Sequence, residues 1–259
     1  MSEVLIERDG GSTVITMNRP ETRNALTRGV ITGVRDAFVA ASSDASVRCV
    51  VLAGAGGHFC SGADLRKNLM EDPNLFDHLE SYMDEYHSLI KAIVRCDKVS
   101  IARMDGCAVG FGADLALACD LRVATPSAYV QEKFVKIGLM PDGGGSFWLP
   151  RLVGTSRALQ MILLAEKIEA PALRDLGIVW RMVPEDELRT ATMALARRIE
   201  AGPPLAQAAI RRSVYGSWGS IDDALRRERE EQLKLLRSND AMEGILAWAQ
   251  KREPSFNGK

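Results

Sequence analysis

The chain has 259 residues, 46% of them hydrophobic and 26% charged, and its 33 Lys and Arg against 34 Asp and Glu give a formal net charge of −1 at pH 7. This length can bury a core without disulfides or a structural metal, and the balanced charge, with no basic tail or stripe, argues against a nucleic-acid partner. The most apolar stretch, 107–119, is interrupted by Asp114 and is too short to span a bilayer, so we expect a soluble protein with no membrane partner.

The predicted elements alternate between strand and helix through the first two-thirds of the chain. Short runs of β-type residues predict strands at 4–8, 13–17, 49–53, 100–104, 121–124 and 128–131. Apolar residues at three- and four-residue spacing predict helices at 27–41, 74–94 and 110–118. The first two strands are joined by Asp9-Gly10-Gly11, residues that tolerate positive φ and favour a hairpin turn. The tetrad Gly-Ala-Asp-Leu occurs at 62–65 and again at 112–115, which indicates a repeated strand-loop-helix unit.

The last third of the chain has a different pattern. From Thr155 onward it is mostly helical, with one strand-like run at 178–183. No low-complexity linker separates this part from the rest. We therefore expect an α/β fold whose core spans residues 1–200 and whose C-terminal helical region spans residues 201–259.

The five cysteines are odd in number, and none of them lies in a Cys-x-x-Cys pair. This usage favours neither a disulfide framework nor a zinc site and fits a reducing, intracellular compartment. Residues 1–8 carry Glu3 and Glu7 and lack the apolar or Arg-rich pattern of a targeting segment. We expect a cytoplasmic protein.

The common cofactor and nucleophile motifs are incomplete in this sequence. Gly54-Ala55-Gly56 follows a predicted strand, but Phe59 stands where a dinucleotide-binding loop has its third glycine. The three histidines form no His-Glu-x-x-His pair, so no metal site is predicted. Gly144-Gly145-Ser146 departs from the Gly-x-Ser-x-Gly pattern of serine hydrolases.

Three glycine-bearing turns remain unusual, and they lie at 54–62, 106–112 and 138–145. Each turn has an aspartate beside it, and these are Asp64, Asp114 and Asp142. Glycine lets the backbone approach a ligand closely, and turns that open helices leave free N–H donors. The alternative is that the glycines only shape tight corners and that the aspartates cap helices. The residues alone predict an α/β enzyme that stabilises an oxyanion with backbone amides, and they leave the substrate open.

Six motifs, in order along the chain, carry a family resemblance. They are Asn18-Arg19-Pro20, Asn24-Ala25-Leu26, Phe59-Cys60-Ser61-Gly62-Ala63-Asp64-Leu65, Asp105-Gly106-Cys107-Ala108-Val109-Gly110-Phe111-Gly112, Ala118-Cys119-Asp120 and Gly138-Leu139-Met140-Pro141-Asp142-Gly143-Gly144. In these segments the sequence resembles the crotonase superfamily, which includes enoyl-CoA hydratases and isomerases. The resemblance implies a crotonase-like ββα spiral core, a C-terminal helical trimerisation region, and a homotrimer or a homohexamer. It also implies an acyl-CoA thioester substrate, with coenzyme A as part of that substrate and no metal, flavin or nicotinamide cofactor.

By this resemblance, the backbone N–H groups of Ala63 and Phe111 hold the thioester carbonyl. Many family members carry glycine where Phe111 stands, so its ring is expected to shape the acyl pocket. Asp114 occupies the place of the first of the two glutamates with which hydratases deliver water. Phe134 occupies the place of the second, so we expect the second carboxylate to be absent.

Asp142 stands where isomerase-like members of the family place a single acid/base. The stretch 138–150 resembles the phenylacetyl-CoA branch, which includes ring-opening epoxide isomerases. We therefore predict an acyl-CoA isomerase that transfers protons through Asp142. An enoyl-CoA hydratase that uses Asp114, and a CoA-binding protein without turnover, are the alternatives.

The resemblance also assigns residues that bind the substrate. They are Arg23, Ala25, Ser61, Asp64, Leu65, Arg66, Lys67, Gly110, Phe134, Phe256 and Lys259. Arg23, Arg66 and Lys67 are expected near the pantetheine and the adenine of coenzyme A. Phe256 and Lys259 are expected to arrive from a neighbouring subunit.

Overall fold

The computed structural model describes residues 2–71, 74–216 and 219–259. Its strands are β1 Val4–Asp9, β2 Ser12–Met17, β3 Cys49–Gly54, β4 Val99–Met104, β5 Cys107–Val109, β6 Leu121–Ala124, β7 Tyr129–Gln131, β8 Ile168–Glu169 and β9 Arg181–Met182. Its α-helices are α1 Arg28–Ser43, α2 Leu65–Glu71, α3 Leu79–Arg95, α4 Phe111–Ala118, α5 Gly145–Val153, α6 Thr155–Leu164, α7 Ala170–Asp175, α8 Leu188–Glu200, α9 Pro204–Gly216, α10 Ile221–Leu235 and α11 Asn239–Gln250. The predicted α/β class is confirmed.

The strands form two sheets. The larger sheet has the order β1-β2-β3-β4-β6-β9, with an antiparallel hairpin at one edge and parallel pairs elsewhere. The smaller sheet has the order β5-β7-β8. Two parts of the predicted pattern are corrected. The predicted helix at 74–94 begins as a 3₁₀ helix, Leu75–His78, and only two residues of the strand-like run 178–183 pair into the sheet.

The core lies on both faces of the larger sheet, because side chains of a strand alternate between its faces. On β2, Ile15 joins the cluster that α1 and α3 cover, whereas Val14 joins the cluster that α8 covers. Leu52 and Val51 divide in the same way on β3. This three-layer packing holds the carboxyl ends of the parallel strands together, and the loops that bear the glycines leave from there.

All residues of helix α4 are buried, and Asp114 is its one polar side chain. The guanidinium of Arg122, itself buried, satisfies the carboxyl end of this helix. Its Nη1 donates to the carbonyl of Cys119 at 2.6 Å and to that of Ala116 at 3.2 Å, and its Nε donates to the carbonyl of Ile178. Arg122 therefore ties α4 to the segment that leads into β9.

The C-terminal helices are anchored to the core through α9. Arg211 Nε donates to Asp120 Oδ2 at 2.6 Å, and the hydroxyl of Tyr215 donates to Asp120 Oδ1 at 2.6 Å. Helices α10 and α11 expose large apolar side chains, namely Ile221, Leu225, Leu233, Leu236, Met242, Ile245, Leu246 and Trp248. The division at residue 200 and the oligomeric state remain predictions. In the described part of the chain, no helix is long and apolar enough to cross a membrane.

Replacing Arg122 by Met should lower the free energy of unfolding by about 3 kcal/mol or more, since several buried carbonyls lose a charged donor at once. Urea-induced unfolding followed by circular dichroism measures this change. The control is Arg174→Met on the exposed face of α7, for which a change within about 0.5 kcal/mol is expected. Equal losses in the two variants would show that Arg122 does not stabilise the end of α4.

Candidate active site

The loop before α2 and the loop before α4 are joined by backbone hydrogen bonds. Cys60 forms a parallel bridge with Ala108: the Cys60 N–H donates to Cys107 O at 2.8 Å, and the Val109 N–H donates to Cys60 O at 2.9 Å. Of the two Gly-Ala-Asp-Leu segments, 62–65 runs from the loop into the first residue of α2, whereas 112–115 lies within α4, so the two segments do not occupy equivalent places. The bridge fixes the separation of the residues that follow it.

Two glycines in these loops have backbone conformations that other residues rarely adopt. Gly62 has φ +93° and Gly110 has φ +54°. A Cβ on Gly62 would lie 2.7 Å from Val109 O and 3.6 Å from the amide nitrogen of Phe111. Only glycine therefore permits this close approach.

The amides of Ala63 and Phe111 are the predicted oxyanion donors. Phe111 is the first residue of α4, so its N–H has no partner within the helix. Within 2–71, 74–216 and 219–259, no backbone hydrogen bond uses the N–H of Ala63 or of Phe111. The backbone at Gly62, next to Ala63, comes close to the Phe111 amide, and the joint action of the two free donors on one oxyanion stays a prediction.

Two aromatic rings lie near Gly110 and Phe111. The ring of Phe134, on the 3₁₀ helix Phe134–Ile137, comes within 3.8 Å of the position that a Cβ on Gly110 would take. The ring of Tyr86 packs edge-on against Phe111, with their centroids 4.7 Å apart. Phe134 thus forms an apolar wall beside the predicted oxyanion donors.

Asp114, on α4, is fully buried. Its Oδ2 accepts the Gly143 N–H at 3.0 Å, which joins α4 to the loop before α5. Burial raises the pKa of Asp114 to about 7; the Gly143 hydrogen bond opposes this rise, and the charge of Asp142 adds to it. A carboxyl in this state exchanges a proton near neutral pH.

Asp142 lies in the loop before α5 and is partly buried. Its backbone carbonyl accepts a hydrogen bond from His87 Nε2 on α3 at 3.0 Å, which requires the proton to be on Nε2. Among the described residues, its Oδ1 has no hydrogen-bond partner. Burial raises the pKa of Asp142, and His87 partly offsets the rise.

The structure adds a carboxyl that the sequence analysis missed. Glu132 follows β7 and is 1% exposed. A Cβ on Gly145 would lie 2.9 Å from Glu132 Oε1 and 2.8 Å from Asp114 Oδ1, so the two carboxyls share one side of that glycine. Burial raises the pKa of Glu132 well above its usual range, and the charges of Asp114 and Asp142 add to the rise.

Phe134 stands at the second glutamate position as expected, and the structure places a different carboxyl, that of Glu132, beside Asp114. The family resemblance gave Phe134 as the position of the second glutamate, whereas Glu132 lies two residues earlier in the chain. A charged residue within the otherwise buried end of a strand is the signal that could have found it.

Several predicted substrate-binding residues are engaged within the chain. Asp64 Oδ2 pairs with Arg19 at 2.8 Å, and Asp64 Oδ1 accepts the Lys67 N–H at 3.0 Å at the start of α2. Lys67 Nζ pairs with Glu3 at 2.9 Å. These contacts hold the loop after Ala63 in place, whether or not Asp64 and Lys67 also bind the substrate.

Of the other predicted binding residues near this loop, Ser61 donates from its hydroxyl to Thr22 O at 2.8 Å, and the carbonyl of Ala25 accepts from Arg19. Arg23, Leu65 and Arg66 are exposed. Their predicted contacts with coenzyme A remain predictions.

The C-terminal residues pack against their own helix α11. The carbonyl of Lys259 accepts the Asn239 N–H at 2.6 Å, and the ring of Phe256 lies 3.5 Å from the position of a Cβ on Gly244. None of the described hydrogen bonds of residues 256–259 reaches the loops around Ala63 or Phe111. Their predicted role in a neighbouring subunit's site stays a prediction. In the parts of the chain that are described, no group of three His, Cys, Asp or Glu has the geometry to hold a metal ion.

A family model described as Enoyl-CoA hydratase/isomerase matches residues 7–259. The chain belongs to the enoyl-CoA hydratase/isomerase family. It is 39% identical to a probable enoyl-CoA hydratase of Rhodobacter capsulatus over 96% of this chain and 95% of that protein. It is 31% identical to the 1,2-epoxyphenylacetyl-CoA isomerase of Escherichia coli over the full length of both.

The solved structures agree with this family. A putative enoyl-CoA hydratase of Streptomyces coelicolor has a TM-score of 0.94 at 31% identity, over 99% of this chain and 94% of that one. The predicted crotonase-like fold is thereby confirmed. Because the relatives are named both as hydratases and as isomerases, the family leaves the reaction itself open.

Stability should depend on pH through Asp114. Its pKa is raised from an ordinary value of about 3.9, so folding favours its protonated form. That stability is complete below about pH 4 and is lost as pH rises through about 7. Over this range, the free energy of unfolding of the wild type should fall by roughly 2 to 4 kcal/mol more than that of Asp114→Asn.

Urea unfolding at pH 4.5 to 8, in steps of about half a pH unit, measures this difference. Asp84→Asn, at an exposed site on α3, serves as the control and should keep the wild-type slope. Parallel curves for the wild type and Asp114→Asn would contradict the raised pKa.

Proposed function

We propose that this protein is an acyl-CoA isomerase that moves a proton through a thioester enolate, with Asp142 as the acid/base. The observation that carries the proposal is that an apolar ring, and not the second carboxyl of a hydratase, lies beside the free amides of Ala63 and Phe111. On one side stands the phenyl ring of Phe134, and in the loop before α5 the Asp142 carboxyl has an oxygen without a partner.

The first step is the formation of the enolate. The N–H groups of Ala63 and Phe111 donate to the thioester oxygen, where negative charge grows as a proton leaves the neighbouring carbon. Each such donor contributes roughly 3 kcal/mol when it is aimed at charge that exists only in the transition state. The Cys60–Ala108 bridge keeps both donors in place before the substrate arrives.

The proton moves to and from Asp142. A carboxylate at its ordinary pKa is a weak base, so the raised pKa of Asp142 brings its proton affinity closer to that of a base useful at neutral pH. The hydrogen bond from His87 to the Asp142 carbonyl fixes the backbone that carries the carboxyl. The same carboxyl returns the proton to a different carbon, which completes an isomerisation without water.

Phe134 favours isomerisation over hydration. A phenyl ring neither accepts a proton nor orients water, and it excludes solvent from the enolate. The substrate would be an acyl-CoA thioester whose isomerisation shifts a double bond or opens a strained ring, as in the isomerase of Escherichia coli named above. Coenzyme A would arrive as part of the substrate, and no other cofactor takes part.

A hydratase is the second candidate, and Glu132 favours it. Two carboxyls, Asp114 and Glu132, lie beside the same glycine, and paired carboxyls can orient and activate water. The probable hydratase of Rhodobacter capsulatus is also 39% identical to this chain. Two observations argue against a hydratase. Glu132 is buried beside Gly145, and the ring of Phe134 lies beside the predicted oxyanion donors.

We also propose a homotrimer or homohexamer. The exposed apolar side chains of α10 and α11, such as Leu236, Ile245 and Trp248, offer a surface for neighbouring subunits.

Asp142→Asn should lower the isomerisation kcat by roughly two orders of magnitude or more while the affinity for CoA thioesters changes little, because the amide keeps the shape and loses the proton-transfer group. Loss of the conjugated-thioester absorbance during isomerisation gives kcat, and calorimetry gives the affinity. Asp175→Asn, on an exposed turn of α7, is the control with unchanged kcat. Turnover of Asp142→Asn near the wild-type rate would remove Asp142 from the mechanism.

A further inference from the structure

Glu132 is a buried carboxyl with no role in the isomerisation described above. Both of its side-chain oxygens are shielded from solvent, and neither has a hydrogen-bond partner among the described residues. Burying an ionised carboxylate without donors is costly, so such a group takes up a proton instead. Its position at the end of β7 is fixed by the pairing of that strand with β5.

The groups that face Glu132 are acidic. Asp114 faces it from α4 and Asp142 from the loop before α5, and His87 on α3 reaches Asp142 rather than Glu132. No described ion pair gives Glu132 a cationic partner, and Lys133 beside it is exposed. The described contacts therefore give Asp114 and Glu132 no cationic partner, and His87 offsets only the charge of Asp142.

Asp114 and Glu132 differ in their hydrogen bonds. Oδ2 of Asp114 accepts the Gly143 N–H, and the Gly145 amide also favours its ionised form. Glu132 has no such donor. Oδ1 of Asp114, which is buried and unpartnered, lies on the same side of Gly145 as Glu132 Oε1. Oδ1 of Asp114 is therefore an unpartnered acceptor on the side of Gly145 that Glu132 occupies.

We propose that Glu132 keeps a proton at neutral pH and presents it to Asp114, so that the pair carries at most one negative charge and Asp142 can serve as the ionised base. Glu132 is in this sense a positioning residue that acts through Asp114. Proton exchange within the pair breaks the O–H bond of Glu132 and forms the O–H bond of Asp114, with no net change of charge and no co-reactant. The effect of Glu132 on the ionisation of Asp142 rests on the proposed isomerisation. The protonation of the Asp114–Glu132 pair does not depend on it.

The first test needs no substrate. Infrared difference spectra of the full-length protein between pH 6 and pH 9 should show the carbonyl stretch of a buried protonated carboxyl at neutral pH, and its loss as pH rises. Glu132→Gln should remove the part of this band that belongs to Glu132 and leave the part that titrates near pH 7 with Asp114, since Gln has the same shape and cannot ionise. Glu230→Gln, on the exposed surface of α10, should leave it unchanged. Absence of the band at neutral pH, or an undiminished band in Glu132→Gln, would overturn the proposal.

The second test uses the pH dependence of kcat. Ionisation of Glu132 at alkaline pH adds a charge beside Asp114, so the alkaline limb of the wild-type profile should move or disappear in Glu132→Gln. Glu132→Ala should lower kcat at pH 7 by about tenfold or more, the scale of one lost buried hydrogen bond, and Gln should recover most of that loss. An unchanged alkaline limb in Glu132→Gln would contradict the positioning role.

The two tests separate this inference from the proposed function. If the band belongs to Glu132 and Asp142→Asn keeps full turnover, the protonated pair stands and the isomerase mechanism fails. If Asp142→Asn is inactive and the band is absent, the mechanism stands and the inference about Glu132 fails.

Discussion

Two backbone hydrogen bonds, from Cys60 N–H to Cys107 O and from Val109 N–H to Cys60 O, hold the loop before α2 against the strand before α4. The geometry of the whole candidate site depends on this bridge. It brings the backbone at Gly62, next to Ala63, close to the Phe111 amide, and Gly62 and Gly110 make the approach possible through their positive φ. The buried sheet anchors both loops, so the donors need no reorganisation when charge develops.

The second constraint on the site is electrostatic. Burial opposes the ionisation of Asp114, Glu132 and Asp142, and the charge of Asp142 raises the pKa of the other two further. Hydrogen bonds decide which carboxyl keeps its charge, because Asp114 accepts the Gly143 amide and Glu132 accepts none. An acid and a base can coexist in one site when the environment sets their proton affinities apart.

The sequence predicted the elements that have strong local signals. The helix at 27–41 and the strand at 49–53 follow from apolar spacing, and the glycine turns follow from residue type. The short strands β5 and β8 escaped prediction because two or three residues carry no periodicity and pair only through the fold. Glu132 escaped because alignment assigns roles by position in the chain, whereas its carboxyl reaches Asp114 through space.

The sequence also could not predict ion pairs between residues that lie far apart in the chain. Lys67 was expected to contact coenzyme A, but whether it is free depends on Glu3, which the fold of the N-terminal hairpin brings to it. Asp64 likewise pairs with Arg19 while it caps α2. Local patterns identify candidate groups, and only tertiary contacts determine which of these groups are already engaged.

The measurement that tests the account most directly compares hydration and isomerisation by the purified wild-type protein across a panel of enoyl-CoA and epoxyacyl-CoA thioesters. Phe134 and the carboxyl of Asp142 predict isomerisation of at least one of these substrates, with hydration of crotonyl-CoA much slower. Hydration of crotonyl-CoA at a rate ordinary for enzymes, roughly 10 per second or above, without isomerisation would contradict the account. Asp114 and Glu132 would then be the groups that activate water.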